Sequence, residues 1–366
     1  MRIINLAENT EGASGCGFEH GLCFYVETEH HKLLMDTGHS DLFIKNAKKL
    51  GIDLTQVDTV VISHGHDDHG GGILPFVKIN PSAKIYLQEE AFGDFYSSNR
   101  GSEIEYIGLD KKIRELPQAV IVDAAPLPGR EEAEDGAEKG IFRIDSELSL
   151  FTGIGNEHPV SSANHGLKRK TEEGLVQDDF RHEQCLVISE GSRNVLLSGC
   201  AHHGILNILD RYRELYGGAP DVVISGFHMM NKNGYSDEDI TVIIDTALAL
   251  RKLNTVFYTG HCTGVDPYNA MKKLMGSQLH YVHSGDEIVL QTLDDGSMDP
   301  ESGKTAQEAD VKEPQTGKPA ADVKTREEAL RIAKKKRREY MKWHRFFAWG
   351  TVVCFVLTMV TGYQRK

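Results

Sequence analysis

Ser63-His64-Gly65-His66-Asp67-Asp68-His69-Gly70-Gly71-Gly72 concentrates three histidines and two aspartates in six consecutive positions. The residues leading into it, Asp58-Thr59-Val60-Val61-Ile62-Ser63, form a short β-branched apolar run, the pattern of a buried strand. The cluster therefore stands where a strand ends, on a backbone freed by glycine. Alternate side chains on such a loop point to one side, so His64, His66 and Asp68 can converge on one point. Asp68 and His69 are adjacent and can face a second point. This is ligand spacing for two metal ions a few ångströms apart, which in hydrolases activate a water between them. A polar turn that was merely histidine-rich would not need an apolar strand to deliver it.

The motif His64-x-His66-x-Asp68-His69 after a hydrophobic strand resembles the signature of the metallo-β-lactamase superfamily. Five further segments stand in the order that family has: Glu19-His20-Gly21-Leu22, Leu34-Met35-Asp36-Thr37-Gly38, Ser198-Gly199-Cys200-Ala201-His202, Ser225-Gly226-Phe227-His228 and Thr259-Gly260-His261-Cys262-Thr263-Gly264. The set is similar to the branch of 7,8-dihydropterin-6-methyl-4-(β-D-ribofuranosyl)aminobenzene-5'-phosphate synthase-like proteins. The resemblance covers residues 1–291. It implies an α/β fold, an αββα four-layer sandwich, with the metal site at one edge. It also implies two divalent ions, zinc first, with iron or manganese as alternatives.

The same resemblance carries ligands beyond the first motif. A third histidine is expected before a hairpin, and His182 in Asp178-Asp179-Phe180-Arg181-His182-Glu183 matches. The strand ending in Gly199-Cys200 stands where many relatives have Gly-Asp. A thiolate ligates zinc but does not bridge two hard ions as a carboxylate does. His202 is the alternative ligand there, and the sequence leaves the choice open. Gly260-His261 supplies the last ligand. The metal set is then His64, His66, Asp68, His69, His182, Cys200 or His202, and His261. Asp68 and His228 are the expected catalytic residues, Asp68 orienting the water and His228 donating to a substrate oxygen. Asp36 is expected to orient a metal-bound histidine, and Glu19 and His20 to reach the pocket.

Composition bounds the partners. The net charge of −13 hides an asymmetry: from Thr325 onward there are eleven Lys/Arg against three Asp/Glu, which leaves −21 on the remainder. An acidic catalytic body disfavours nucleic acid, whose phosphates it repels, and favours a small-molecule substrate. The six cysteines are scattered, and Met1-Arg-Ile-Ile-Asn opens no secretory leader, so a reducing compartment is expected.

Along residues 1–291, the expected hydrolase domain, strands open as a meander and later alternate with helices. That pattern suits two sheets packed face to face with helices outside. The spacing predicts helices over Leu42–Leu50, Glu89–Ser97, Ile205–Leu215, Asp237–Leu250 and Pro267–Met275. It predicts a hairpin from Gln184–Ser189 and Val195–Ser198. Pro126–Glu138 reads as a charged loop. Asn156–Gln177 reads as a long polar loop, either solvated or a lid bringing Lys168, Arg169 and Lys170 to an acidic substrate.

Residues 292–324 are poor in large apolar side chains and read as a disordered linker. Residues 325–345 read as a basic juxtamembrane helix. Phe346–Tyr363 has no charge, and as a helix it covers ~27 Å, enough to span a bilayer core. The expectation is a single-pass C-terminal membrane anchor, with flanking Lys and Arg holding the catalytic body in the cytoplasm. The functional expectation is a membrane-anchored, metal-dependent hydrolase of a small ester or phosphate-bearing metabolite. The alternatives are a diiron redox or oxygen-handling protein, and a tethered metal-binding sensory module without turnover.

Overall fold

The structure is a computed structural model. It describes residues 1–99, 103–122, 140–232 and 234–290, and in the tail 327, 328, 330, 331, 334 and 335.

Two seven-stranded mixed sheets face one another. The first runs, in spatial order, Glu287–Val289, Arg2–Ala7, Cys23–Glu27, Lys32–Met35, Thr59–Val61, Lys84–Gln88, Ala119–Val122. The second runs Leu279–Tyr281, Val256–Thr259, Val222–Ile224, Arg193–Leu197, Cys185–Glu190, Leu148–Phe151, Ile141–Arg143. In each sheet three antiparallel pairings give way to three parallel ones. Parallel neighbours need crossover connections, and helices supply most of them.

Side-chain alternation along the strands sorts residues into three cores. Leu33, Met35 and Val61 of the first sheet meet Leu186, Val195 and Leu197 of the second between the sheets. Their strand neighbours Leu34 and Val60 turn outward onto Phe43 and Ala47 of helix Leu42–Lys49 and Phe76 of helix Ile73–Val77. On the other outer face, Leu196, Val223 and Phe257 pack on Ile208 of helix Ile205–Tyr216, Ala247 of helix Asp237–Leu250 and Met271 of helix Val265–Met275. These three cores give the expected αββα layering. Helix Asp237–Leu250 begins where its sequence says it should. Ser236 and Asp239 form a reciprocal capping box, and Asp237, Glu238 and Asp239 lie in the first turn, where acids suit the helix dipole.

Two expectations change. Glu89–Ser97 is not a helix: Glu89–Phe92 makes a single tight turn, and Phe95–Ser97 is a strand. Asn156–Gln177 is not a loop throughout. Leu167–Thr171 and Gly174–Gln177 form a hairpin that joins Phe95–Ser97 and Glu105–Tyr106 in a four-stranded sheet. The charge density of Lys168-Arg169-Lys170 masks the one inward anchor, Leu167, which packs with Phe95, Ile107 and Phe180.

Pro126–Glu138, the 292–324 linker and the 346–363 anchor lie outside the described residues. Among the described residues no helix is long and apolar enough to cross a membrane. Of the 325–345 segment, the described positions are helical, and Leu330 packs against Ile240, Ile244 and Leu248 of helix Asp237–Leu250.

Candidate metal centre

The candidate ligands gather at the carboxyl ends of parallel strands, where backbone leaves the sheet and side chains can converge. His64, His66, Asp68 and His69 follow Thr59–Val61. Cys200 and His202 follow Arg193–Leu197, His228 follows Val222–Ile224, and His261 follows Val256–Thr259. Asp36, Ala201, His228 and His261 all take the left-handed backbone conformation, with φ of 64°, 50°, 46° and 49°. Such positions cost ~1 kcal/mol or more each for side chains of this kind, and they recur where function fixes the backbone. Two strand ends nearly touch: a Cβ on Gly199 would lie 2.1 Å from Ser63 Oγ.

Four histidines are held in one tautomer. The Ser63 hydroxyl donates to Asp36 Oδ2 (2.8 Å) and so accepts from His64 Nδ1 (2.8 Å). His69 Nδ1 donates to Asp36 Oδ2 (2.7 Å), which is the role expected of Asp36. His202 Nδ1 donates to Asn164 Oδ1 (3.0 Å), and His261 Nδ1 donates to Asn9 Oδ1 (2.8 Å). Each Nε2 therefore carries a bare lone pair. His64 Nε2 faces His202 Nε2 at 3.2 Å, and His69 Nε2 faces His261 Nε2 at 3.2 Å. His66 Nε2 is buried without a hydrogen-bond partner, and its ring lies 5.0 Å from that of His202. Asp68 Oδ2 lies 3.4 Å from His261 Nε2 and 3.9 Å from His69 Nε2.

Lone pairs facing at these distances repel unless a cation lies between them. The donors divide into His64, His66 and His202 on one side and Asp68, His69 and His261 on the other, so the set fits two divalent ions. Burial, then the neighbouring imidazoles, holds His64 and His202 well below the usual histidine range, leaving them neutral as ligands must be. At His69 burial opposes charge, yet Asp36 and Asp68 push it up to about 9, and the same negative field would favour a cation at Nε2, whose binding displaces that proton.

His182, expected as the third histidine, is placed differently. Its Nδ1 accepts from the Gly65 N–H (2.9 Å), and its Nε2 donates to Asp178 Oδ2 (3.1 Å). These bonds tie it to the loop carrying His64 and His66; with His66 and Asp178 it forms a further group of donor atoms within 4.8 Å of one another, and His202 stands beside His64 and His66. The strand end after Gly199 supplies both of its alternatives: His202 joins His64 and His66, and Cys200 Sγ lies 3.2 Å from His69 Nε2. His228 stands next to His202, ring centroids 4.2 Å apart. His20 Nε2 approaches Asp68 Oδ2 at 3.3 Å, whereas Glu19 turns away to cap the backbone of His39 and Ser40.

The residues that fix the ligands were mostly not foreseen. Asn9 and Asn164 set two tautomers. Buried Glu183 accepts from the His202 N–H (2.7 Å), and buried Glu8 accepts from the His261 N–H (2.5 Å). Asp36 was the one expected from sequence, and Ser63 carried only the signal of its place beside His64.

An open cleft of about 590 Å³, part of it continuous with solvent, lies over the donors, lined by His20, Asp68, His228, Lys232 and His261. The four-stranded sheet and its flanking turns form a cover, contributing Ser97, Asn99, Ile107, Ala163 and Leu167.

A two-sheet sandwich with this donor set at its strand ends defines a metal-binding αββα fold, and the chain belongs to the metallo-β-lactamase superfamily, whose family model matches residues 16–229. It is 27% identical over 298 residues to 7,8-dihydropterin-6-methyl-4-(β-D-ribofuranosyl)-aminobenzene-5'-phosphate synthase of Methanocaldococcus jannaschii, covering 78% of this chain and 95% of that one. An uncharacterized protein of the same organism is 26% identical over 275 residues, covering 73% of this chain and 92% of its own length. Among solved structures, Tm1679, described as a metal-dependent hydrolase of the β-lactamase superfamily, aligns with a TM-score of 0.63 at 27% identity. It covers 80% of this chain and 100% of its own.

Proposed function

We propose that this chain is a metal-dependent hydrolase of a small ester or phosphate-bearing metabolite. The observation that carries the reading is the two pairs of facing Nε2 atoms with Asp68 beside them. Two divalent ions bound there would supply an activated water and polarise a substrate oxygen. The chain's own residues do the rest. Burial opposes a charge on Asp68, but His69, His261 and His20 hold its carboxyl well below the usual range. It is therefore a permanent hydrogen-bond acceptor that orients the attacking water. Lys232 and His20 line the cavity and suit an anionic group. The cover encloses the substrate and limits bulk water. The phosphate in the name of the 27% identical relative supports a phosphate-bearing substrate.

That relative is named a synthase, so bond formation on a similar phosphate compound is the second reading. The test is turnover of a panel of esters, phosphomonoesters and phosphodiesters by zinc-, manganese- and iron-loaded full-length protein, with product identification. Hydrolysis that vanishes in His202→Ala supports the proposal. Metal-loaded protein inert across the panel counts against it.

The C-terminal anchor and the cytoplasmic placement of the body are also proposed here, supported by the uncharged run Phe346–Tyr363 and its basic flank. Full-length protein should pellet with membranes and resist high-salt extraction. Recovery in the soluble fraction would defeat that part.

A further inference from the structure

A second donor cluster lies in the cavity wall. The Cys200 and Cys262 sulfurs and a ring nitrogen of His228 all lie within 4.8 Å of one another. Both cysteines are buried, and Cys262 Sγ lies 3.5 Å from the Cys200 carbonyl oxygen. The two ring nitrogens of His228 are buried, and neither has a hydrogen-bond partner among the described residues. His228 is half-buried, but leaving both of its buried ring nitrogens unsatisfied is costly and calls for an explanation. The backbone also keeps room for the sulfur: a Cβ on Gly226 would fall 2.5 Å from Cys262 Sγ. His228 is held in place by its left-handed φ of 46°.

We propose that Cys200, His228 and Cys262 form a third, thiophilic cation site, which adjoins the imidazole and carboxylate donors through Cys200, whose Sγ also lies 3.2 Å from His69 Nε2. Tetrahedral zinc bonds of about 2.3 Å to sulfur and about 2.0 Å to nitrogen put such donors about 3.5–3.8 Å apart. The donor atoms, all within 4.8 Å of one another, would close inward to reach that. Two sulfurs and one nitrogen select zinc or another soft ion such as Cu(I) over magnesium or calcium. All three residues line the cavity, so a fourth coordination position is open to water or substrate. Both sulfurs bind such an ion as thiolates, so loading displaces any proton they carry. Cys200 thereby becomes a ligand of this ion, while His202 serves the His64–His66 ion, and the alternatives left open by the sequence belong to different sites. His228 becomes a ligand in place of its expected role as donor to a substrate oxygen.

The inference rests on the reading of the cavity as a metal centre. Its test is Co(II) titration of chelator-stripped full-length protein, read by bound cobalt and by sulfur-to-cobalt charge-transfer absorption. Wild-type protein should show that absorption. Cys262→Ser should lose about one equivalent of metal and, with that ion, most of the charge-transfer absorption. His228→Gln should lose the same equivalent and decides the matter if Cys262→Ser does not fold. His66→Ala should lose a different equivalent and keep the charge-transfer band. Metal that depends on His66 and His261 but not on Cys262 or His228 overturns this site and leaves the paired-imidazole reading standing. Protein that binds no cobalt at all overturns both.

Discussion

Asn164 grips His202 at both ends: its Oδ1 accepts from His202 Nδ1 at 3.0 Å, and its Nδ2 donates to the His202 carbonyl at 2.7 Å. Ring orientation, tautomer and backbone are thus set by one amide from the cover. Partners of this kind are worth ~10–100-fold in metal affinity. Asn164→Ala should therefore weaken metal binding by that factor while leaving far-ultraviolet circular dichroism unchanged. Competition with a chromophoric chelator measures it.

His202 and His182 should separate cleanly. His202→Ala removes a lone pair that faces His64 and should abolish one metal equivalent. His182→Ala strands the Gly65 N–H and the Asp178 carboxylate, both in buried surroundings. It should cost ~1–3 kcal/mol of stability and keep the metal count. Metal analysis beside urea denaturation distinguishes them, and a metal loss confined to the His182 variant would reverse the assignment.

Gly199→Ala would drive a methyl group to within 2.1 Å of Ser63 Oγ and 3.2 Å of His64 Nδ1. Ser63 or the strand end must move, at ~1–3 kcal/mol for such overpacking. Because Ser63 fixes the His64 tautomer, metal affinity should fall with stability. A fall in stability alone would show that the Ser63–His64 contact does not set the ligand.

His31 gives a pH test away from the metals. Its Nδ1 meets Asp58 and its Nε2 meets Asp145, each at 2.8 Å, joining the two sheets. Burial opposes its charge, but the two carboxylates raise its pKa above the usual 6.5. A raised folded-state value means the clasp stabilises fully below ~6.5, the unfolded value, and is lost as pH rises through the folded one. Denaturation midpoints should therefore decline across that window, and His31→Gln should flatten the decline.

Much of this was legible in sequence where local signals agree. Ser236, the acidic first turn and the apolar spacing set helix Asp237–Leu250 at the bounds observed. The strand before His64 and the glycines after it were legible for the same reason. The choice between His182 and His202 was not. His182 and His202 flank the same hairpin, and both read as polar positions next to a strand. What separates them is a lone pair, decided by the Gly65 N–H and the Asn164 amide, which come from distant segments. The cover hairpin was hidden because its apolar anchor, Leu167, is followed by three cations in a row.

Leu330 has a structural consequence. It rests on Ile240, Ile244 and Leu248, one turn from Asp239, whose Oδ1 accepts from the Ser162 N–H at 3.1 Å. Ser162 stands two residues before Asn164, and Asn164 holds His202. One short run of contacts thus leads from Leu330 through helix Asp237–Leu250 and the cover to the ring of His202.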